Sequence, residues 1–204
     1  MEASAIETHP FVPFLPGNAR LLMLGTFPPA PKRWSMAWYY PNFTNDMWRI
    51  FGLIFFGDKQ HFVCQEEKTY RLDALKAFLT QRGVALFDTC LRIRRTTGTA
   101  SDKDLEVVEL ADLDGMLRAL PCCRAVVTAG QLATQIFTRH HGIDTKGMKM
   151  GDYREFCFEG RTIRLYRMPS SSRAYPMRTE VKAAYYERML IDLGIKTSNE
   201  QSNL

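Results

Sequence analysis

Short apolar runs alternate along this chain with longer stretches in which apolar residues return every three or four positions. The runs are ARLLMLG (19–25), VALFDTC (84–90) and RAVVTAG (124–130), each with the length and apolar content of a strand buried on both faces. TNDMWRIFGLIFFG (44–57) begins with capping residues and then sets Trp48, Phe51, Ile54 and Phe55 at helical spacing. TYRLDALKAFLTQRG (69–83) repeats that pattern and stops at Gly83, a residue suited to a helix C-terminus. Residues 104–121 read as helical despite Gly115, which costs about 1 kcal/mol relative to Ala, and 131–142 as the helix after the third strand. YREFCFEGRTIRLYRM (153–168) reads as a hairpin turning at Glu159-Gly160, and a last helix covers about 178–193.

Strands alternating with helices imply an α/β domain whose sheet is mostly parallel and covered on both faces. Ligands bind outside the carboxyl ends of such strands. Three segments follow strand ends: GTFPPAP (25–31), DTCLRIRRTTGT (88–99) and the PSSSRAYP stretch (169–176). They are expected to converge on one rim. One domain over 1–194, with a polar tail at 195–204, is the simplest organisation.

Composition bounds the partners. Of 204 residues, 46% are hydrophobic and 24% charged, ordinary for a soluble protein; the net charge of +5 permits an anionic partner without requiring one. Arginine placement says more, with clusters at Arg92, Arg94 and Arg95 and at Arg161, Arg164, Arg167 and Arg173. Five cysteines (Cys64, Cys90, Cys122, Cys123, Cys157) lack CxxC spacing, so neither a structural metal nor any other cofactor is expected, and Cys122 and Cys123 read as buried small residues. The opening MEASAIETHP has no apolar stretch, and no run approaches the ~20 apolar residues of a membrane helix, so a cytoplasmic protein is expected.

Three motifs in order carry a resemblance: LGTFPP (24–29), YYPNFTNDMWRI (39–50) and MPSSSRAYP (168–176). They resemble the signature stretches of the uracil-DNA glycosylase superfamily. The last is nearest the thymine/mismatch-specific uracil-DNA glycosylase branch, and the first two the hypoxanthine-DNA (deoxyinosine) glycosylase branch. GVALFDTC and GTASDKDL (98–105) are also similar to the second branch, and the resemblance spans residues 9–193. It implies a three-layer α/β/α sandwich around a central four-stranded, mainly parallel sheet. It also implies a monomeric, monofunctional enzyme that flips a deaminated base, hypoxanthine or uracil, out of double-stranded DNA and hydrolyses its N-glycosidic bond. No lysine occupies a recognisable Schiff-base position.

Each motif residue also has a plainer reading. Gly25 permits close backbone approach, and Pro28, Pro29 and Pro31 stiffen a turn, which many strand exits need. Most branches of the family carry Asp or Asn two residues after this glycine to direct water; this chain has Phe27, a wall for a base beside Thr26. Asn45 matches the Asn on which the deoxyinosine branch is thought to rely, and it stands equally where a helix N-cap belongs; Asn42 is an alternative. Asp46 reads as a general base or as a partner of the helix dipole. Tyr39 or Tyr40 could stack on a base or pack in the core, and Asp88 could reach the rim or cap a turn. Ser170, Ser171 and Ser172 are small enough to grip a phosphate, with Arg173 or Tyr175 as the wedge that fills the vacated stack. Thymine-type enzymes have Ala then Arg after the serines; here the order is Arg173, Ala174. Met168 replaces the histidine of the most active uracil branch, and none of the four histidines (His9, His61, His140, His141) occupies a motif loop position that could replace it.

Two other functions fit the same residues. The fold could hold DNA without cutting it, Phe27 and Met168 marking lost residues, or serve an enzyme of free nucleotides, although no GxxxxGK[ST] loop is present.

Overall fold

The computed structural model describes residues 5–96 and 104–197. Most of the GTASDKDL motif and most of the polar tail therefore lie outside the described residues. The three apolar runs form β2 (Leu21–Gly25), β5 (Val84–Asp88) and β8 (Ala125–Ala129). Residues 153–168 form the expected hairpin, β9 (Tyr153–Phe158) and β10 (Arg161–Met168), with Glu159 and Gly160 both at positive φ in its turn. These five strands make one sheet in the order β5-β2-β8-β10-β9. Four are parallel, and β9 adds an antiparallel edge. The sheet thus has five strands where the resemblance implied four. The opposite edge is covered as well, because Phe14 exchanges both backbone hydrogen bonds with Leu86 (3.0 and 2.9 Å).

The helices are α1 (Met47–Phe56), α2 (Leu72–Arg82), α3 (Leu113–Ala119), α4 (Gln131–His141) and α5 (Thr179–Asp192). The chain passes from β2 to β5 in one direction across the sheet and from β5 past β2 to β8, and on to β10, in the other. Right-handed crossovers place α1 and α2 on one face and α3 and α4 on the other. Consistently, α1 packs against α5, and Asp114 of α3 reaches His140 of α4. Gly83 takes the left-handed conformation (φ 67°) that ends α2, as its position predicts.

Residues 104–121 depart from the expected single helix. The first half is a strand, β7 (Leu105–Leu110), and only the second half is α3, capped by Asp112 accepting from the Gly115 N–H (2.8 Å). The DTCLRIRR segment is likewise a strand, β6 (Cys90–Arg95), rather than a loop. It pairs with β7 and with β1 (Ile6–Thr8) in a separate antiparallel sheet. Backbone pairing with β6 holds β7 as a strand, and cross-strand charge adds to it: Arg94 meets Glu106 (2.8 Å) and Arg92 meets Glu109 (3.4 Å). Cys123 is buried as expected, but Cys122 is exposed. Among the described residues no helix is long and apolar enough to cross a membrane.

Candidate functional site

The parallel register sets the ends of the strands level. Gly25 stands opposite Asp88, Leu24 opposite Thr128, and Met168 opposite Ala129. The chain after Gly25, Asp88, Ala129 and Met168 therefore leaves one edge of the sheet, and the three segments expected at a rim do begin there. Past the end of β2 the Thr89 and Cys90 N–H groups donate to the Gly25 and Thr26 carbonyls (2.9 and 3.1 Å), locking the first two loops together.

Gly25 has a specific reason to be glycine. A methyl group there would collide with Oδ1 of Asp88. The Asp88 carboxylate thus lies against the backbone at the strand ends, held through Oδ2 by Nε2 of His9 at 2.8 Å. His9 is buried, its Nδ1 faces the Phe11 backbone, and its ring is edge-on to Phe27 (5.3 Å between centroids) and tilted against Phe87 (4.5 Å). This His–Asp pair is absent from the sequence reading, since 79 residues separate its members. Only the strand register reveals it.

Phe27 is half-buried, and its loop is clamped from two sides. Arg95, buried at the end of β6, donates to the Pro28 carbonyl (2.6 Å), pairs with Glu7 (2.8 Å) and lies 5.7 Å from the centre of the Phe27 ring. The Trp34 indole N–H donates to the Pro29 carbonyl (2.6 Å). Thr26 is buried beside them.

Asn45 and the serine loop form the second half of the rim. Oδ1 of Asn45 accepts the Met47 N–H (2.9 Å), so Asn45 caps the turn that leads into α1 from one residue ahead of the N-cap position, which Asp46 holds; its Nδ2 has no part in that bond. Asn42 engages its carbonyl with Thr44 in the same way. The Asp46 N–H donates to the Ser171 carbonyl (2.9 Å), which fastens the start of α1 to the loop after β10. The Asp46 side chain reinforces this from within: Oδ2 pairs with Nζ of Lys182 at 2.9 Å, the two side chains being 1% and 0% exposed. Lys182 also donates to the Ser172 carbonyl (2.8 Å). Arg173, 61% exposed, sets a guanidinium nitrogen 3.2 Å from Oδ1 of Asp46, near enough to attract but not aligned as a hydrogen bond.

The serines have distinct positions. Ser170 and Ser172 each accept an N–H two residues on (3.2 and 3.3 Å), the local turns such residues favour, while Ser171 is buried. Tyr175 is half-buried, its hydroxyl 3.7 Å from the Met150 sulfur and its ring 5.9 Å from Nζ of Lys182. Met168 is buried in the core.

Tyr39 and Tyr40 join the two halves. The Tyr39 ring packs near His9 and Phe87, and its carbonyl accepts the Trp48 indole N–H (3.2 Å). Tyr40 stands edge-on to Trp48 and adopts φ 50°, a conformation that non-glycine residues rarely take. Burial holds its phenol well above the ordinary pKa, and Tyr186, Asp88 and Tyr39 add to the effect. Tyr186 itself donates to the Pro169 carbonyl (3.0 Å).

The arginine clusters are largely used inside the protein. Arg161 donates to the Leu117 and Leu120 carbonyls (2.6 and 2.9 Å), Arg164 pairs with Asp192 (3.0 Å), and Arg167 donates to Met148 (3.1 Å). Among the described residues, basic groups exposed on loops past the strand ends include Lys32, Arg33, Arg173 and Arg178.

Comparison by sequence finds no match, either among protein-family models or among curated proteins. Comparison of folds does. The chain is similar to the solution NMR structure of a "putative Uracil DNA glycosylase from Methanosarcina acetivorans", with a TM-score of 0.62 and 21% identity, covering 93% of this chain and 99% of that one. The two share a fold.

Proposed function

We propose that the protein is a DNA glycosylase that hydrolyses the N-glycosidic bond of a flipped deaminated base, hypoxanthine or uracil, in double-stranded DNA. The observation that carries this reading is the single rim on which the Phe27 loop, the His9–Asp88 pair, Asn45 and the 169–178 loop meet, on a fold similar to that of a protein named for this activity. A base inside a duplex must be extruded before its glycosidic bond can be reached. Phe27 and Tyr40 are the aromatic walls for the extruded base. Asn45 offers Nδ2, and Asp88 a carboxylate, to a base edge or to the attacking water. Bond cleavage develops positive charge on the sugar, which a carboxylate fixed in place stabilises. Arg173 fills the vacated stack, and the Ser170 and Ser172 hydroxyls with the Arg173 N–H meet the flanking phosphates. The reaction needs one water and leaves an abasic site, with the strand intact until alkali is added.

Duplexes carrying a single uracil, hypoxanthine, xanthine or mismatched thymine test this. Alkali-labile product from one of them, preferentially hypoxanthine or uracil, is expected. The competing reading, a module that holds DNA without cutting it, draws on Phe27 at the family's water-directing position and on the use of Asn45 as a cap. Tight binding with no product from any duplex would establish that alternative and end the enzyme reading.

A further inference from the structure

The C-terminal end of α4 carries two adjacent histidines, and both turn toward α3. Nε2 of His140 lies 2.9 Å from Oδ1 of Asp114, and Nε2 of His141 lies 3.9 Å from the same oxygen. The three donor atoms all fall within 4.8 Å of one another. α4 begins at the rim and runs 11 residues away from it, roughly 16 Å, so this cluster sits at the other end of the sheet from the proposed base pocket.

We propose that Asp114, His140 and His141 form a binding site for a divalent first-row transition ion of the zinc class. Three observations support it. The donor set, two imidazoles and one carboxylate, suits that class and leaves a coordination position for water. The spacing fits: ligands at about 2.0–2.1 Å in a tetrahedron stand about 3.3 Å apart, and the 2.9 and 3.9 Å separations straddle that value. Third, Nε2 of His141 is buried without a hydrogen-bond partner, on a side chain only 8% exposed. A buried polar atom left unpaired is unfavourable unless something binds it.

The surroundings complete the site. Phe137, Phe156 and Phe158 pack around the His141 ring, with centroids 4.4, 5.1 and 6.0 Å away, and fix it from the core side. Asp114 and His140 stay 37% and 33% exposed, which gives the ion an entrance. Arg118, the nearby cation, is paired with Glu159 at 2.7 Å. An ion here ties α3 to α4 across the outer face of the sheet, and its role is structural.

The test is titration of the purified full-length chain with Zn2+ and, separately, Co2+. One ion per chain is expected, with a visible Co2+ absorption band and a rise in Tm of about 5 °C at saturating Zn2+. Asp114→Asn and His140→Ala should each weaken binding at least about 10-fold. His141→Phe keeps an aromatic ring in the buried position, so it separates loss of the ligand from loss of the fold. Cys122→Ser and Cys157→Ser, which alter exposed thiols elsewhere, should leave binding unchanged. Absence of saturable binding overturns the proposal, as does binding that survives the three ligand variants or disappears with the cysteines.

Discussion

At the scale of single residues, the proposed hydrolysis needs a side chain that directs water. Asn45 and Asp88 both qualify, and their bonds allow them to be tested without unfolding the protein. Asn45→Ala removes the acceptor for the Met47 N–H and should cost about 1 kcal/mol of stability as well as turnover, so on its own it is ambiguous. Asn45→Asp keeps the acceptor and removes the amide donor. We expect an unchanged Tm and a loss of lesion cleavage of about 100-fold or more, as when one positioned donor is removed. Wild-type cleavage by Asn45→Asp would leave Asn45 as a cap and pass the role to Asp88. Asp88→Asn is the reciprocal variant: it keeps a polar contact for His9 and removes the charge. Asn45 stands out in the sequence through its place just ahead of a strongly periodic helix, and the structure puts it there. The His9–Asp88 pair does not, because its geometry comes from strand register across 79 positions and from a glycine whose missing methyl makes room.

At the scale of elements, the serine loop is held by the start of α1 and by α5 rather than by its own sequence. Asp46 and Lys182, one from each helix, form a buried pair that also grips the Ser171 and Ser172 backbone. Removing one member leaves a buried charge without its counterion, which costs about 3–5 kcal/mol. Lys182→Met is therefore expected to lower Tm by roughly 6–20 °C, at about 2–4 °C per kcal/mol for a chain of this size. Double replacement of Asp46 and Lys182 by apolar residues should recover most of that loss, because the desolvation cost disappears with the charges. A thermal melt settles it, and a single variant as stable as wild type would mean the pair contributes little. Neither residue stands out in sequence: a lysine on an amphipathic helix reads as solvated, and Asp46 reads as a dipole partner. The elements themselves were more legible. Buried strands and strongly periodic helices end close to where the pattern predicts, whereas β6 and β7 depend on backbone pairing with each other and with β1, which local pattern does not show.

At the scale of the whole molecule, net charge is a poor guide to where an anion would bind. The +5 excess is spread over a chain whose arginine clusters are largely occupied by carboxylates and backbone carbonyls. Exposed basic groups on the described rim loops include Lys32 and Arg33 after β2, and Arg173 and Arg178 after β10. If these four groups meet phosphates, the logarithm of the binding constant should fall with the logarithm of salt concentration at a slope of about −3.6, or −0.9 per contact. Replacing Lys32 and Arg33 together with Ala should reduce that slope by about 2 and weaken lesion-bearing and undamaged duplexes alike, since phosphate contacts carry no base information. Arg173→Ala should behave differently. Removing a wedge penalises the flipped state, so cleavage of a lesion in duplex should fall more than cleavage of the same lesion in single-stranded DNA, where no stack needs filling. Equal losses on both substrates would reduce Arg173 to a fourth phosphate contact, and the attraction of its guanidinium to Asp46 would then serve only to position that charge.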